Sequence, residues 1–197
     1  MPRVFLALVW AALLGLVLLL PAGPRGENAV RNSVRLALLY YGIALGVQLR
    51  GGPCRLARLT WTLAWAAYAV HVVLAFHYFH GWSHADAVEH VRAVGGIGEG
   101  IYLSHLFGLL WTIDVAWWWL APGSHAARPL WLTIELHGFM LFMVFNATVV
   151  FEPGLGRWLG VALFLVLAWL WRTRPGRGIT AERPASGTGT QPEGVSP

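Results

Sequence analysis

The sequence contains no lysine, a single cysteine and few charged residues of either sign. All 14 basic side chains are arginine, and only 12% of the 197 residues are charged, against roughly 25% in an ordinary soluble domain. Because Cys54 is alone, a disulfide framework or a cysteine-based metal site within one chain is excluded. No basic patch interleaved with exposed aromatic residues is evident, which argues against nucleic-acid binding. The net charge of +5 therefore bears on membrane orientation and on lipid headgroups.

Long apolar runs make up most of the chain, in which 57% of the residues are hydrophobic. A helix needs about 17–25 predominantly apolar residues to cross a bilayer. We therefore predict an all-α, polytopic membrane helix bundle of about six transmembrane spans. The spans are predicted at residues 4–20, 33–50, 60–80, 101–120, 130–151 and 157–171, and they form one integral membrane domain, residues 1–172.

Three segments of the chain need a separate interpretation. Residues 4–20 could be a cleaved signal peptide, which would leave five spans, but the run is longer than the usual apolar core of about 7–15 residues and favours a retained helix. After the third span, the segment from Ser83 to Asp86 resembles a capping box and predicts a short interfacial helix. Residues 173–197 are rich in Pro, Gly, Ser and Thr, which predicts a disordered cytoplasmic tail.

The placement of arginines predicts how the bundle is oriented. With six spans, nine arginines fall on the side of the two termini and five fall on the opposite side. By the positive-inside rule, both termini then lie in the cytoplasm and the protein is placed in the cell (inner) membrane. The histidine-rich segment, residues 77–100, faces outward in this topology.

Four histidines are predicted to lie near one another at the outer surface, and they form a candidate metal site: His77, His80, His84 and His105. The first three have i, i+3 and i+7 spacing, so they share one face if the helix is unbroken, although Gly81 could bend it. Imidazole nitrogens on neighbouring helices suit copper, zinc or iron. A facing pair, such as His77 or His80 with His105, would suit haem. The alternatives are packing at headgroup level, pH sensing and proton relay.

A second polar layer is predicted on the inner side, formed by Asp114, Glu135 and His137. Asp114 and His137 each lie about seven residues from the inner end of their spans, so antiparallel neighbours would bring them level, at roughly 10 Å depth. Ionisable residues inside a membrane are costly and therefore suggest function. Such a layer could relay protons, or it could be a hydrogen-bonded clamp that fixes the register of two helices.

These patterns lead to one functional hypothesis and two alternatives. The first is a metal-binding or haem-binding membrane protein with a redox role, with haem, copper, iron or zinc as the possible cofactor. The second is a non-catalytic subunit or assembly factor, in which Gly42 and Gly46 would pack against a membrane protein partner or a second copy of the chain. The third is a small proton-coupled carrier. Whether the protein is an enzyme is left open, and the lipid bilayer is the one partner that every hypothesis requires.

Overall fold

The chain folds into helices throughout the part that the computed structural model describes, which is Trp10 and residues 26–174. No strand occurs among these residues. Residues 26–174 contain seven α-helices in order: α1 Glu27–Gly51, α2 Arg55–Tyr78, α3 His84–Gly95, α4 Gly100–Leu120, α5 Pro122–Ala126, α6 Leu130–Phe145 and α7 Leu155–Arg172. A π-helical turn, Asn146–Val150, extends α6. The all-α prediction is confirmed for the described residues.

The centre of the molecule is an antiparallel hairpin of α1 and α2, against which α4 packs. Both helices carry alanines with no exposed surface, among them Ala44 and Ala64, and such small side chains allow packed helices to approach closely. Three large rings complete this core: Tyr41, Trp61 and Trp111, whose centroids lie 5.2–5.8 Å apart. Offset and edge-on ring contacts at these distances are favourable, so the aromatic cluster holds three helices together.

The third predicted span ends earlier than the sequence suggested. Helix α2 stops at Tyr78, and the chain turns through Gly81 and Trp82, which have φ angles of 52° and 64°. Helix α3 then begins after Ser83, whose hydroxyl accepts a hydrogen bond from the Asp86 amide at 3.2 Å. The predicted cap is therefore present, and it starts a short helix as expected.

Helix α7 packs closely against the π-helical turn that follows α6, because α7 has a glycine at the point of contact. A Cβ added at Gly160 of α7 would lie 2.7–2.9 Å from the hydroxyl, Cβ and carbonyl oxygen of Thr148. Thr148 lies in the π-helical turn, is buried, and donates its hydroxyl proton to the Val144 carbonyl at 2.7 Å. Only glycine fits at position 160 without displacing the backbone of the neighbouring segment.

Two of the described helices are long and apolar enough to cross a membrane: α2, and α6 together with its π-helical turn. A third candidate is the pair of α3 and α4. Taken together these two helices are long and apolar enough, but they are bent by 108° relative to each other, as in a broken span or a re-entrant loop. The described residues thus contain two, or at most three, candidate spans. Apart from Trp10, the predicted first span, residues 4–20, lies outside the described residues, as does most of the predicted tail, residues 175–197.

Candidate functional site

The four histidines of the predicted outer site do not form one cluster, because the turn at Gly81 and Trp82 interrupts the helix that would have aligned them. His84 lies beside His105, with ring centroids 5.4 Å apart and an angle of 26° between the rings. His80 lies beside His90 instead, at 5.2 Å. His77 packs against the rings of its neighbours Tyr78 and Trp82.

A metal site built from three or more protein side chains is not found in the part of the chain that the structure describes. Within it, His84 and His105 are the one pair formed among the predicted four, whereas His77 and His80 have other neighbours. Neither His77 nor His80 makes a ring contact with His105 among the described residues. The outer site is thus reduced to the pair of His84 and His105.

The pair of His84 and His105 is the part of the outer site that could hold a metal. Both side chains are exposed, and they come from different helices, α3 and α4. A metal bound to one nitrogen of each ring at ~2.0–2.1 Å holds the two ring centroids roughly 4.5–5.5 Å apart. The centroid distance of 5.4 Å leaves room for a shared metal, and it is also an ordinary distance for two packed rings. Tyr102 packs on His84 with centroids 6.0 Å apart and flanks the pair.

His80 occupies a different environment from the other outer histidines. Its side chain is buried, and its Nδ1 atom has no hydrogen-bond partner among the described residues. Burial lowers the pKa of His80, the neighbouring His90 lowers it further, and Asp86 opposes both effects. The neutral imidazole is therefore favoured at this position, as expected for a ring that packs in the turn.

The inner polar layer, in contrast, is assembled around Asp114. Its Oδ1 atom lies 2.6 Å from Nη1 of Arg128 and 3.1 Å from Nε2 of His125, and its Oδ2 atom accepts the indole N–H of Trp61 at 2.9 Å. Only 3% of the Asp114 side chain and 8% of the Arg128 side chain are exposed. This is a buried ion pair in which each carboxylate oxygen has a donor.

Arg128 connects the elements of this layer. Its Nη2 atom lies 3.2 Å from Nε2 of His137, and its Nε–H donates to the hydroxyl of Thr133 at 3.0 Å. Because a guanidinium can only donate, Nε2 of His137 accepts a hydrogen bond from Arg128. The proton of the neutral His137 ring therefore lies on Nδ1. One guanidinium thus contacts α4, α5 and α6 at once. We call Asp114, His125, Arg128 and His137 the inner network.

The structure brings Asp114 and His137 to the same level, with Arg128 between them. Glu135, the third predicted member, is exposed and makes no hydrogen bond or ion pair among the described residues. Sequence reasoning missed three contributors: Trp61, His125 and Arg128. Arg128 could have been found, because a buried carboxylate requires a cation and this is the arginine next along the chain after Asp114.

In each of the two imidazoles of the inner network, only one of the two ring nitrogens has a hydrogen-bond partner among the described residues. Nδ1 of His125 and Nδ1 of His137 are buried without a hydrogen-bond partner among the described residues. His125 is held instead by stacking on Trp118, with centroids 4.7 Å apart and 8° between the rings, and His137 meets the ring of Trp61 edge-on at 5.5 Å. Geometrically, the inner network is a charge-balanced clamp with two histidines packed around it.

Comparison of the chain with protein-family models, with curated proteins and with solved structures yields no match in any of the three. The two sites are therefore the features of the chain that bear on its function.

Proposed function

We propose that this chain is a multi-pass membrane protein that binds an exchangeable transition-metal ion at His84 and His105, in support of a redox role at the outer face. The observation that carries this proposal is the pairing of two exposed imidazoles from different helices at 5.4 Å. Neither ring is needed for the core, since both are exposed. Their pairing is therefore available for a ligand.

The number of ligands suggests what kind of metal site this is. A structural zinc site uses four protein ligands and a catalytic one uses three plus water. Two imidazoles leave more positions open to water or to a group from a partner, which suits an ion that is loaded and released. Copper(II) binds nitrogen ligands more tightly than the other divalent first-row metals, so copper is the ion we expect to bind most strongly.

Metal titration of tag-free protein in detergent tests the site directly. We expect the unaltered protein to bind about one equivalent of copper(II), with zinc weaker. His84→Ala and His105→Ala should each weaken binding by more than about tenfold, because even the loss of a residue that only supports a metal ligand costs 10–100-fold. His77→Ala is the matched control, since His77 is an exposed histidine of the same region that contacts neither ring of the pair. The proposal is overturned if both site variants bind copper as the control does, or if the unaltered protein binds none.

The same proposal includes six spans with both termini in the cytoplasm, and the natural cysteine offers a test of this orientation. Cys54 is exposed in the turn between α1 and α2, on the side proposed to be cytoplasmic. We expect a membrane-impermeant maleimide to label Cys54 only after the cells are broken open. In a Cys54→Ser background, Ala85→Cys on α3 is the control and should be labelled in intact cells. Labelling of Cys54 in intact cells would contradict the proposed orientation and indicate the opposite one.

The contacts of the inner network support a structural role, a hydrogen-bonded clamp that fixes the register of the helices, over a proton relay. A relay needs a group that accepts and releases a proton, whereas the carboxylate of Asp114 is paired with a permanently charged guanidinium at 2.6 Å. His137 is held neutral by a second contact of the same guanidinium, because its Nε2 atom accepts from Arg128 Nη2 at 3.2 Å. We therefore assign the inner network to the stability of the bundle.

A further inference from the structure

We propose that the groove between α1 and α7 binds an anionic phospholipid, with an acyl chain along the groove and the phosphate at Arg50. The groove has a volume of about 680 Å³ and is lined by leucine, valine, isoleucine and glycine side chains from the two helices. Arg50 is the one charged residue of its lining and lies at one end. The proposal depends on the proposed membrane location but not on the metal site.

Two glycines on α1 shape this groove. A Cβ added at Gly42 would lie 2.7 Å from the Leu163 side chain, and one added at Gly46 would lie 3.2 Å from that of Leu170. These pairs advance along both helices in the same direction, so α1 and α7 run parallel. The carboxyl-terminal ends of α1 and α7 therefore lie on the same side. This brings the basic residues at the end of α1 close to those at the end of α7.

The charge at that end is complementary to a phosphate. The Arg50 guanidinium lies 5.4 Å from the centroid of the Trp169 ring, and the Arg174 guanidinium lies 5.2 Å from that of Trp171. A second, smaller depression next to these rings is lined by Arg172 and Arg174. No acidic residue lines either depression, and none of these three arginines has a carboxylate partner among the described residues.

The arrangement matches the shape and chemistry of one class of ligand. A long apolar groove that ends in guanidinium groups without a carboxylate partner in the described part of the chain fits an acyl chain that continues into an anionic headgroup. Arginine binds phosphate through paired N–H donors, and tryptophan is favoured at the headgroup level beside it. The arginine-rich side is also the one proposed to face the cytoplasm, where the leaflet carries negative surface potential. A zwitterionic lipid would gain little from these groups.

The test compares phosphatidylglycerol with phosphatidylcholine, each titrated onto the full-length protein in detergent and followed by native mass spectrometry. We expect phosphatidylglycerol to bind more tightly, and Arg50→Gln to weaken its binding by about fivefold, the effect of one arginine near a charged membrane surface. Arg157→Gln is the matched control, because Arg157 is an exposed arginine near the opposite end of α7. It should leave phosphatidylglycerol binding unchanged.

A second variant separates a lipid site from a protein interface. Gly46→Leu fills the groove and should reduce phosphatidylglycerol binding without changing the oligomeric state measured by light scattering. The proposal is overturned if the two lipids bind equally, if Arg50→Gln binds phosphatidylglycerol as the control does, or if Gly46→Leu dissociates an oligomer and leaves lipid preference intact. Since Arg50 is exposed, its variant should fold even if Gly46→Leu does not. Copper binding by the same preparations reports on the metal site independently.

Discussion

Asp114→Ala is expected to lower the free energy of unfolding by about 3–5 kcal/mol, the cost of breaking a buried ion pair from one side. The substitution leaves the Arg128 guanidinium, of which only 8% of the side chain is exposed, without its carboxylate. It also removes the acceptor of the Trp61 indole N–H. Denaturant unfolding in detergent micelles, followed by tryptophan fluorescence, would measure the change.

The matched control for this experiment is Glu135→Ala. Glu135 is also acidic and lies on the adjoining helix α6, but it is exposed and unpaired among the described residues. We expect its loss to change the free energy of unfolding by less than about 0.5 kcal/mol. A double variant, Asp114→Leu with Arg128→Met, should recover much of the stability lost in Asp114→Ala, because neither charge is then buried alone. If Asp114→Ala costs no more than Glu135→Ala, the buried clamp is not a feature of the protein in solution.

Gly160→Ala is expected to destabilise the protein by about 1–3 kcal/mol through overpacking. The new methyl group would lie 2.7–2.9 Å from atoms of Thr148, one of which is a backbone carbonyl oxygen that cannot rotate away. Helix α7 must then shift away from the π-helical turn. The same unfolding assay would measure the loss.

The control for this prediction is Gly138→Ala on α6, where an added Cβ meets nothing within 4 Å. Alanine is a better helix former than glycine by roughly 1 kcal/mol, so this variant should be neutral or more stable. Combining Gly160→Ala with Thr148→Ala should relieve part of the clash, because the Thr148 hydroxyl is one of the atoms in the way. Equal effects of Gly160→Ala and Gly138→Ala would contradict the close approach of α7 to the π-helical turn.

Local features of the fold could be predicted from the sequence more reliably than the sites. Hydrophobic runs gave the helices to within a few residues: the span predicted at 60–80 corresponds to α2, Arg55–Tyr78, and the one predicted at 101–120 corresponds to α4, Gly100–Leu120. The Ser83 cap was also predictable, because hydroxyl capping depends on residues three apart. The number of membrane crossings was not, since length and hydropathy identify only two or three candidates among the described helices.

The candidate sites show where periodicity loses its predictive value. His77, His80 and His84 share a face only on an unbroken helix. The positive φ angles of Gly81 and Trp82 break the helix between His80 and His84, so the spacing no longer aligns the three rings. Glu135 and His137 are two residues apart, so about 200° of helical rotation separates them and both cannot face Asp114. Arg128 lies in a connection between helices, where no repeating pattern indicates which way a side chain points, so the signal that could have found it is the need of a buried carboxylate for a cation.

The position of Arg128 has a mechanical consequence. The Arg128 guanidinium is hydrogen-bonded to Asp114 of α4 and to His137 of α6, and it lies against His125 of α5. Any displacement between these helices must therefore break a charge-assisted hydrogen bond of this guanidinium in a poorly solvated interior. These three helices should therefore move as a single rigid body. Helix α3 has no ion pair to a neighbouring helix among the described residues: through His84 and His90 it meets its neighbours by ring contacts, and it is flanked by Gly81 and Gly96, both with positive φ. Motion in this molecule is thus expected to concentrate at the outer histidines, as a hinge that brings His84 toward or away from a stationary His105.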